Sequence, residues 1–152
     1  MLRGYRHSDR GLLRGPWLPG ECLGLPLADW PALAEPTTVP APAGPGDELC
    51  VAPGAAFVRY TELDWVHRRA RVEIGVQPGH LDAAELLVKS AVAYGFDGLN
   101  LRRLYGWVTP AVEPPTGVLA GAGFAREASV PAGIWLAGRP ADREIWGVVR
   151  DG

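Results

Sequence analysis

The sequence predicts an α+β fold: a mixed, mostly antiparallel central sheet with flanking helices. Three observations carry that expectation. First, Ala56-Phe57-Val58-Arg59-Tyr60-Thr61-Glu62-Leu63 and Ala70-Arg71-Val72-Glu73-Ile74-Gly75-Val76 both alternate apolar and polar side chains. That is the period of a half-buried strand, and the short charged turn His67-Arg68-Arg69 between them makes an antiparallel hairpin. Second, the period lengthens to that of an amphipathic helix over residues 82–97, with Leu86, Leu87, Ala91, Val92 and Phe96 opposite Lys89 and Ser90. Third, residues 101–108 resume the extended pattern directly after that helix. A helix joins this strand to the one ending at Val76, so the two are expected to be parallel neighbours.

The remaining elements follow in order. Residues 1–35 break short apolar stretches with Gly and Pro, which leaves room for one short strand and one or two helical turns, with Asp29 capping a brief helix through Leu33. Residues 36–46 hold four prolines and two glycines, so they form a loop or an extended linker. Leu49-Cys50-Val51 reads as a short strand before the Pro53-Gly54 turn. Gln77-Pro78-Gly79-His80 ends the hairpin, and Asp82-Ala83-Ala84-Glu85 has the form of a capping box. Gly98 is placed to terminate the helix. After Pro110, Pro114 and Pro115, a short helix centres on Val118-Leu119-Ala120, and two strands close the chain at 133–137 and 143–149.

The 152 residues suit one domain, divided into a variable Pro/Gly-rich part over 1–47 and a core over 48–150. Fifteen Lys and Arg against 17 Asp and Glu give a formal charge of -2, which argues against a nucleic-acid partner. An apolar share of 47% with 21% charged residues fits a globular chain. No apolar run approaches the ~20 residues of a bilayer span, and no signal-peptide pattern opens the chain. A cytoplasmic protein with no membrane partner is the expectation. Cys22 and Cys50 read as two buried or half-buried thiols, since they make neither a disulfide framework nor a zinc site. No spacing of His, Cys, Asp and Glu suggests a metal site.

Four segments carry a resemblance. They are 64–75 (Asp-Trp-Val-His-Arg-Arg-Ala-Arg-Val-Glu-Ile-Gly), 94–104 (Tyr-Gly-Phe-Asp-Gly-Leu-Asn-Leu-Arg-Arg-Leu), 122–127 (Ala-Gly-Phe-Ala-Arg-Glu) and 142–149 (Asp-Arg-Glu-Ile-Trp-Gly-Val-Val). In this order the chain resembles the GCN5-related N-acetyltransferase family, in particular its ribosomal-protein-acetyltransferase-like branch, over about residues 50–150. The resemblance implies that fold, in which the fourth and fifth strands splay apart and acetyl-CoA enters the gap. It implies an acyl-CoA-dependent N-acyltransferase with a small-molecule or peptide amine as acceptor, working as a monomer or homodimer. Ile74, Val76, Gly79, His80, Ala83 and Ala84 then occupy the positions that would hold the cofactor, its pyrophosphate resting on the amides at the helix N-terminus.

Two departures accompany the resemblance. The loop before the helix is short, Gly79 is its one glycine, and Asp82 would put a negative charge where the phosphates belong. Counting back from Gly123-Phe124, Val112, Pro115 and Leu119 stand where the family often has Asn, Ser and Tyr. Two further readings therefore stay open. One is the same fold without CoA binding, turned to other small-molecule chemistry such as cyclisation or decarboxylation. The other is a non-catalytic binding protein.

The resemblance makes Glu73 the candidate general base, since its strand is the one whose family counterpart often bears the base for the attacking amine. It lies mid-strand between Val72 and Ile74, on a face shared with Arg71 and Gly75, and partial burial would raise its pKa toward the working range. The competing reading is a solvated carboxylate on the polar side of the hairpin. His80 either meets a phosphate, acts as a base or faces solvent; His67 belongs to the charged turn and His7 to the opening strand. Of the six tryptophans, most are expected in the core or at the rim of the sheet, and Trp17 and Trp30 either pack or line an acceptor pocket. Tyr94 and Tyr105 read as packing residues.

Overall fold

The computed structural model describes residues 2–15, 18, 20–24, 37–38, 46–136 and 138–151. Trp17, Trp30, the expected cap at Asp29 and most of the 36–46 loop lie outside the described residues. The strands are β1 (Arg3–Gly4), β2 (Arg14–Gly15), β3 (Thr37–Thr38), β4 (Glu48–Ala52), β5 (Ala56–Asp64), β6 (Arg69–Val76), β7 (Arg103–Val108), β8 (Ala125–Leu136) and β9 (Arg139–Val149). Two α-helices, α1 (Ala84–Ala93) and α2 (Thr116–Gly121), flank β7 in sequence. Seven strands make one sheet in the order β1-β4-β5-β6-β7-β9-β8, while β2 and β3 pair with each other. Every pair in the large sheet is antiparallel except β6–β7, which is parallel as the intervening helix requires.

Alternation along the strands sorts side chains onto two faces. Val58, Tyr60, Val72, Ile74 and Leu104 share one buried cluster with Leu87, Val88 and Ala91 of α1. Leu49, Val51 and Phe57 form the second, covered by Leu13 from a 3-10 helix over His7–Leu13. The Tyr60 hydroxyl donates to the Ala91 carbonyl, so the one polar atom of the largest fully buried side chain is satisfied. The helix meets the sheet most closely at Gly95. A Cβ there would lie 2.9 Å from Leu104 Cδ1 and 3.2 Å from Tyr60 Cε1. Gly95→Ala is therefore expected to destabilise by about 1–3 kcal/mol through overpacking, read as a lowered urea midpoint. An unchanged midpoint would mean that the helix end yields freely.

Several expectations need correction. The capping box at Asp82 and Glu85 does not form. The helical run begins earlier, as a 3-10 helix over Pro78–Ala83 with proline in its first turn, and neither helix start has a side-chain cap. Proline's fixed φ favours a helix start at that point. A cap needs extended backbone, whereas Ala83 at the start of α1 is helical with φ -88° and ψ -1°. Asp82 thus lies exposed inside the run rather than at its end. The helix leaves through a π turn at Tyr94–Gly98, with Asn100 in the left-handed region beyond it (φ 56°).

The last two strands are longer than the sequence suggested. The strand expected from Gly133 begins at Ala125 and runs through Pro131, because β8 is an edge strand, where a missing N–H donor is tolerated. The register shift between Val130 and Ile134 absorbs the irregularity, with Ala132 at φ 52° and its amide donating to Asp142 at 3.0 Å. The tryptophans are also more exposed than expected. Trp65 and Trp135 are exposed, and Trp107 and Trp146 are half-buried, because they sit in a turn or on the outer strands rather than over β5 and β6.

Candidate functional site

The parallel pair β6–β7 keeps register only at Arg69 with Arg103, Ala70 with Leu104 and Arg71 with Tyr105. Beyond Arg71 the strands part, toward Val76 and Trp107, as the resemblance implied. The opening holds a short segment of the same chain, Glu21–Gly24, which bridges in parallel to Trp107 on one side and to Gly75 on the other. Its hydrogen bonds run along both walls. The Cys22 amide donates to Trp107 O at 2.7 Å, and the Ile74 amide donates to Glu21 O at 3.2 Å. The Gly24 amide donates to Ile74 O at 2.6 Å, and the Val76 amide donates to Gly24 O at 3.2 Å. Glu21, Cys22, Leu23 and Gly24 are all buried. Gly106 lets the segment lie close, for a Cβ there would be 2.8 Å from both Cys22 Cβ and the Val72 carbonyl oxygen.

Glu73 lies beside this opening and is buried, so the solvated-hairpin reading does not hold. Its cross-strand partner is Arg59. Burial raises its carboxyl above the ordinary 4.5, against the pull of a hydrogen bond from the Gly20 amide and of the charges on Arg59, Arg71 and Arg143. A carboxyl raised in this way binds its proton more tightly folded than unfolded. The stability it contributes is complete below pH 4.5 and is lost as pH rises through the folded pKa. Glu73→Gln removes that titration. The melting temperature of the variant minus that of wild type is expected to climb as pH rises from 4.5 and then level off. A difference flat with pH would contradict the raised carboxyl.

A second buried carboxylate was not legible as a site residue. Glu21 accepts from the Thr109 amide at 2.9 Å, the Thr109 hydroxyl at 3.0 Å and Arg143 Nη2 at 2.8 Å. Arg143 also donates to the Thr109 hydroxyl at 3.0 Å, and its guanidinium lies 5.2 Å from the centre of the Trp107 ring. Burial pushes the Glu21 carboxyl above its ordinary value despite these partners. The one hint in the sequence is a lone carboxylate in the apolar stretch between Leu18 and Leu23. Thr109 and Arg143 belong to distant segments and left no local sign. A cavity of about 490 Å³ opens next to this cluster, lined by Pro110, Ala111, Leu136, Arg139, Pro140 and Asp142 among others.

The other predicted positions fall as follows. Ile74 and Val76 line the opening, with their polar backbone atoms bonded to Glu21 and Gly24. Gly79 and His80 are exposed in the 3-10 helix, where the His80 amide donates to Gln77 O at 2.9 Å. Ala83 and Ala84 follow at the start of α1, and the Ala84 amide is bonded to Leu81 O. In this conformation the gap does not fit an acyl-CoA, because the chain's own segment takes up the backbone groups along its β6 wall. His67 is exposed in its turn and bonded to Asp64 at 2.9 Å. Tyr105 bonds to Glu62 at 2.8 Å, away from Glu21 and Thr109.

No protein-family model matches the sequence, and no curated protein matches it either. Solved structures do. A variant of the spermidine N-acetyltransferase of Vibrio cholerae superposes with a TM-score of 0.64 at 22% identity, over 68% of this chain and 66% of that one. A second variant of the same enzyme gives 0.61 at 26% identity, over 68% of this chain and 64% of that one. The dodecameric form of that enzyme gives 0.64 at 22% identity, over 68% and 65%. The match therefore spans just under two thirds of the length of each of these neighbours. The strand order, the single parallel pair with its opening and these superpositions together give this chain the fold of the GCN5-related N-acetyltransferases.

Proposed function

We propose that the protein is an N-acyltransferase, taking an acyl group from acyl-CoA to the amine of a small molecule or peptide. The observation that carries this reading is the divergence of β6 from β7 with Glu73 buried at its edge. When bound, acyl-CoA would supply the activated acyl group as a thioester. An amine is protonated at neutral pH, and only its neutral form attacks a carbonyl carbon. Glu73, its pKa raised by burial, takes the ammonium proton. Among the described residues, the cavity beside Thr109 and Arg143 gives the acceptor room. The reading includes an atypical phosphate loop, with Gly79 as its one glycine and Asp82 exposed within the run that follows. It also includes a cytoplasmic location. Among the described residues no helix is long and apolar enough to cross a membrane.

The test is an acetyl-transfer assay with acetyl-CoA and a panel of amines, spermidine and an amino-terminal peptide among them, following thiol release and product mass. Product with at least one amine is the expected result. Absence of product together with absence of acetyl-CoA binding, including in a variant whose gap is open, would overturn the reading.

One observation favours a second reading, the fold without CoA binding. The gap is filled by Glu21–Gly24 with four backbone hydrogen bonds. If that segment is a permanent strand, the cleft serves no cofactor, and the cavity beside Arg143 becomes the site of other small-molecule chemistry or of plain binding.

A further inference from the structure

We infer that residues Gly20–Gly24 are an autoinhibitory strap: a displaceable strand that closes the β6–β7 gap, covers Glu73, and is latched by Glu21 in the Thr109–Arg143 pocket. The inference rests on the N-acyltransferase reading and names the regulation of that site.

Three features set this segment apart from a strand of the sheet. It is short, with one bridge to each wall, whereas β5 and β6 share seven register pairs. Its polar hold on the walls is through backbone atoms, which any extended ligand carrying amides could replace, while Cys22 and Leu23 pack into the core beneath and would have to leave it when the segment moves. Its side-chain anchor is separate from those walls: the Glu21 carboxylate reaches across β7 to Thr109 and Arg143. The strap also engages the candidate base, since the Gly20 amide donates to the Glu73 carboxylate. A single movement would therefore free the Ile74 and Val76 backbone groups, uncover Glu73 and empty the carboxylate pocket together.

The arrangement has a thermodynamic consequence. A ligand that needs the open state binds with an apparent affinity reduced by the fraction of molecules open. Weakening the latch raises that fraction and tightens binding, with no new contact to the ligand.

Cys22 supplies an internal reporter. Its thiol is fully buried in the strap, and burial pushes its pKa well up, so it is inert while the strap is in place. Cys50, equally inaccessible, sits on β4 and serves as the control. The experiment measures maleimide labelling of both cysteines by mass spectrometry in wild type, Glu21→Gln and Glu21→Ala, with and without desulfo-CoA. Calorimetry of the same proteins with desulfo-CoA runs beside it. The more conservative Gln variant covers the case in which Ala does not fold.

The expected result has two parts. Labelling of Cys22 quickens at least tenfold in a Glu21 variant or on adding desulfo-CoA, with Cys50 unchanged. Desulfo-CoA binds at least tenfold more tightly to the variant than to wild type. Desulfo-CoA binding equally to wild type and variant, with Cys22 no faster in its presence, overturns the strap and leaves the acyltransferase reading standing. Quickened Cys22 in a variant that still does not bind overturns the acyl-CoA reading, and with it the inhibition. Cys22 unchanged in wild type and in every folded variant, with and without desulfo-CoA, shows a permanent strand and overturns the inference outright.

Discussion

Glu73→Gln is expected to lower acyl transfer by roughly 10²–10⁴-fold, the usual effect of removing a positioned acid or base. The swap keeps the shape of the side chain and removes its ability to hold a proton at that position. Glutamine retains a carbonyl oxygen to accept from the Gly20 amide, so the strap contact survives. Cofactor affinity is expected to stay within a factor of a few of wild type, because the polar walls of the gap are backbone atoms of Ile74 and Val76. The drop should appear in kcat and kcat/KM alike, as for an interaction made in the transition state. The low-pH limb of the wild-type rate profile should vanish in the variant. Turnover within threefold of wild type would remove Glu73 from the chemistry and shift the balance to the reading without CoA.

Arg143→Met is the second large effect, on stability. The Glu21 and Arg143 side chains are 3% and 12% exposed, so the pair is held out of water. Removing one partner of such a pair leaves the other charge uncompensated, at about 3–5 kcal/mol. A domain of this size has about 5–15 kcal/mol in total, so roughly a fifth or more of its stability is at stake. The loss is read from urea unfolding. The double variant Glu21→Leu with Arg143→Met is expected to recover at least about 1 kcal/mol, because it removes both charges and leaves only the neutral Thr109 donors without their carboxylate acceptor. A single-variant loss below about 1 kcal/mol, with the two changes additive, would show the pair to be incidental.

Much of the fold was legible because its signals are local. Alternation set β5 and β6 and the sides of β5 and β6 that face α1, which is why Val72 and Ile74 pack on that helix while Glu73 points the other way. The parallel β6–β7 pair followed from a helix lying between two strands. Local rules failed where two of them competed. Asp82 and Glu85 have cap spacing, yet Pro78 four residues earlier starts the helical run and leaves the cap unformed. The strand was expected to start at Gly133, yet an edge position and a shift of register let β8 start at Ala125 and pass through Pro131. At the site, Glu73 could be singled out because it lies on the strand whose counterpart in the resembled family often bears the general base. Glu21 could not, because what makes it matter lies at Thr109 and Arg143.

By itself, then, the sequence determined the kind of elements, their order and the one parallel pair, since each depends on periodicities of 2 and 3.6 or on connection length, and, through the resemblance, the candidacy of Glu73. Only the tertiary structure decided what fills the space those elements leave. The gap between β6 and β7 exists because two strands held together at Arg69–Arg71 part beyond it, and unpaired backbone groups in a buried gap must find partners. Residues 21–24 supply them from some fifty residues away in the chain. Burial of the Glu21 carboxylate then demanded Thr109 and Arg143 from two further segments. No pattern within a window of sequence encodes that meeting, because it satisfies hydrogen bonds between parts of the chain that only folding brings together.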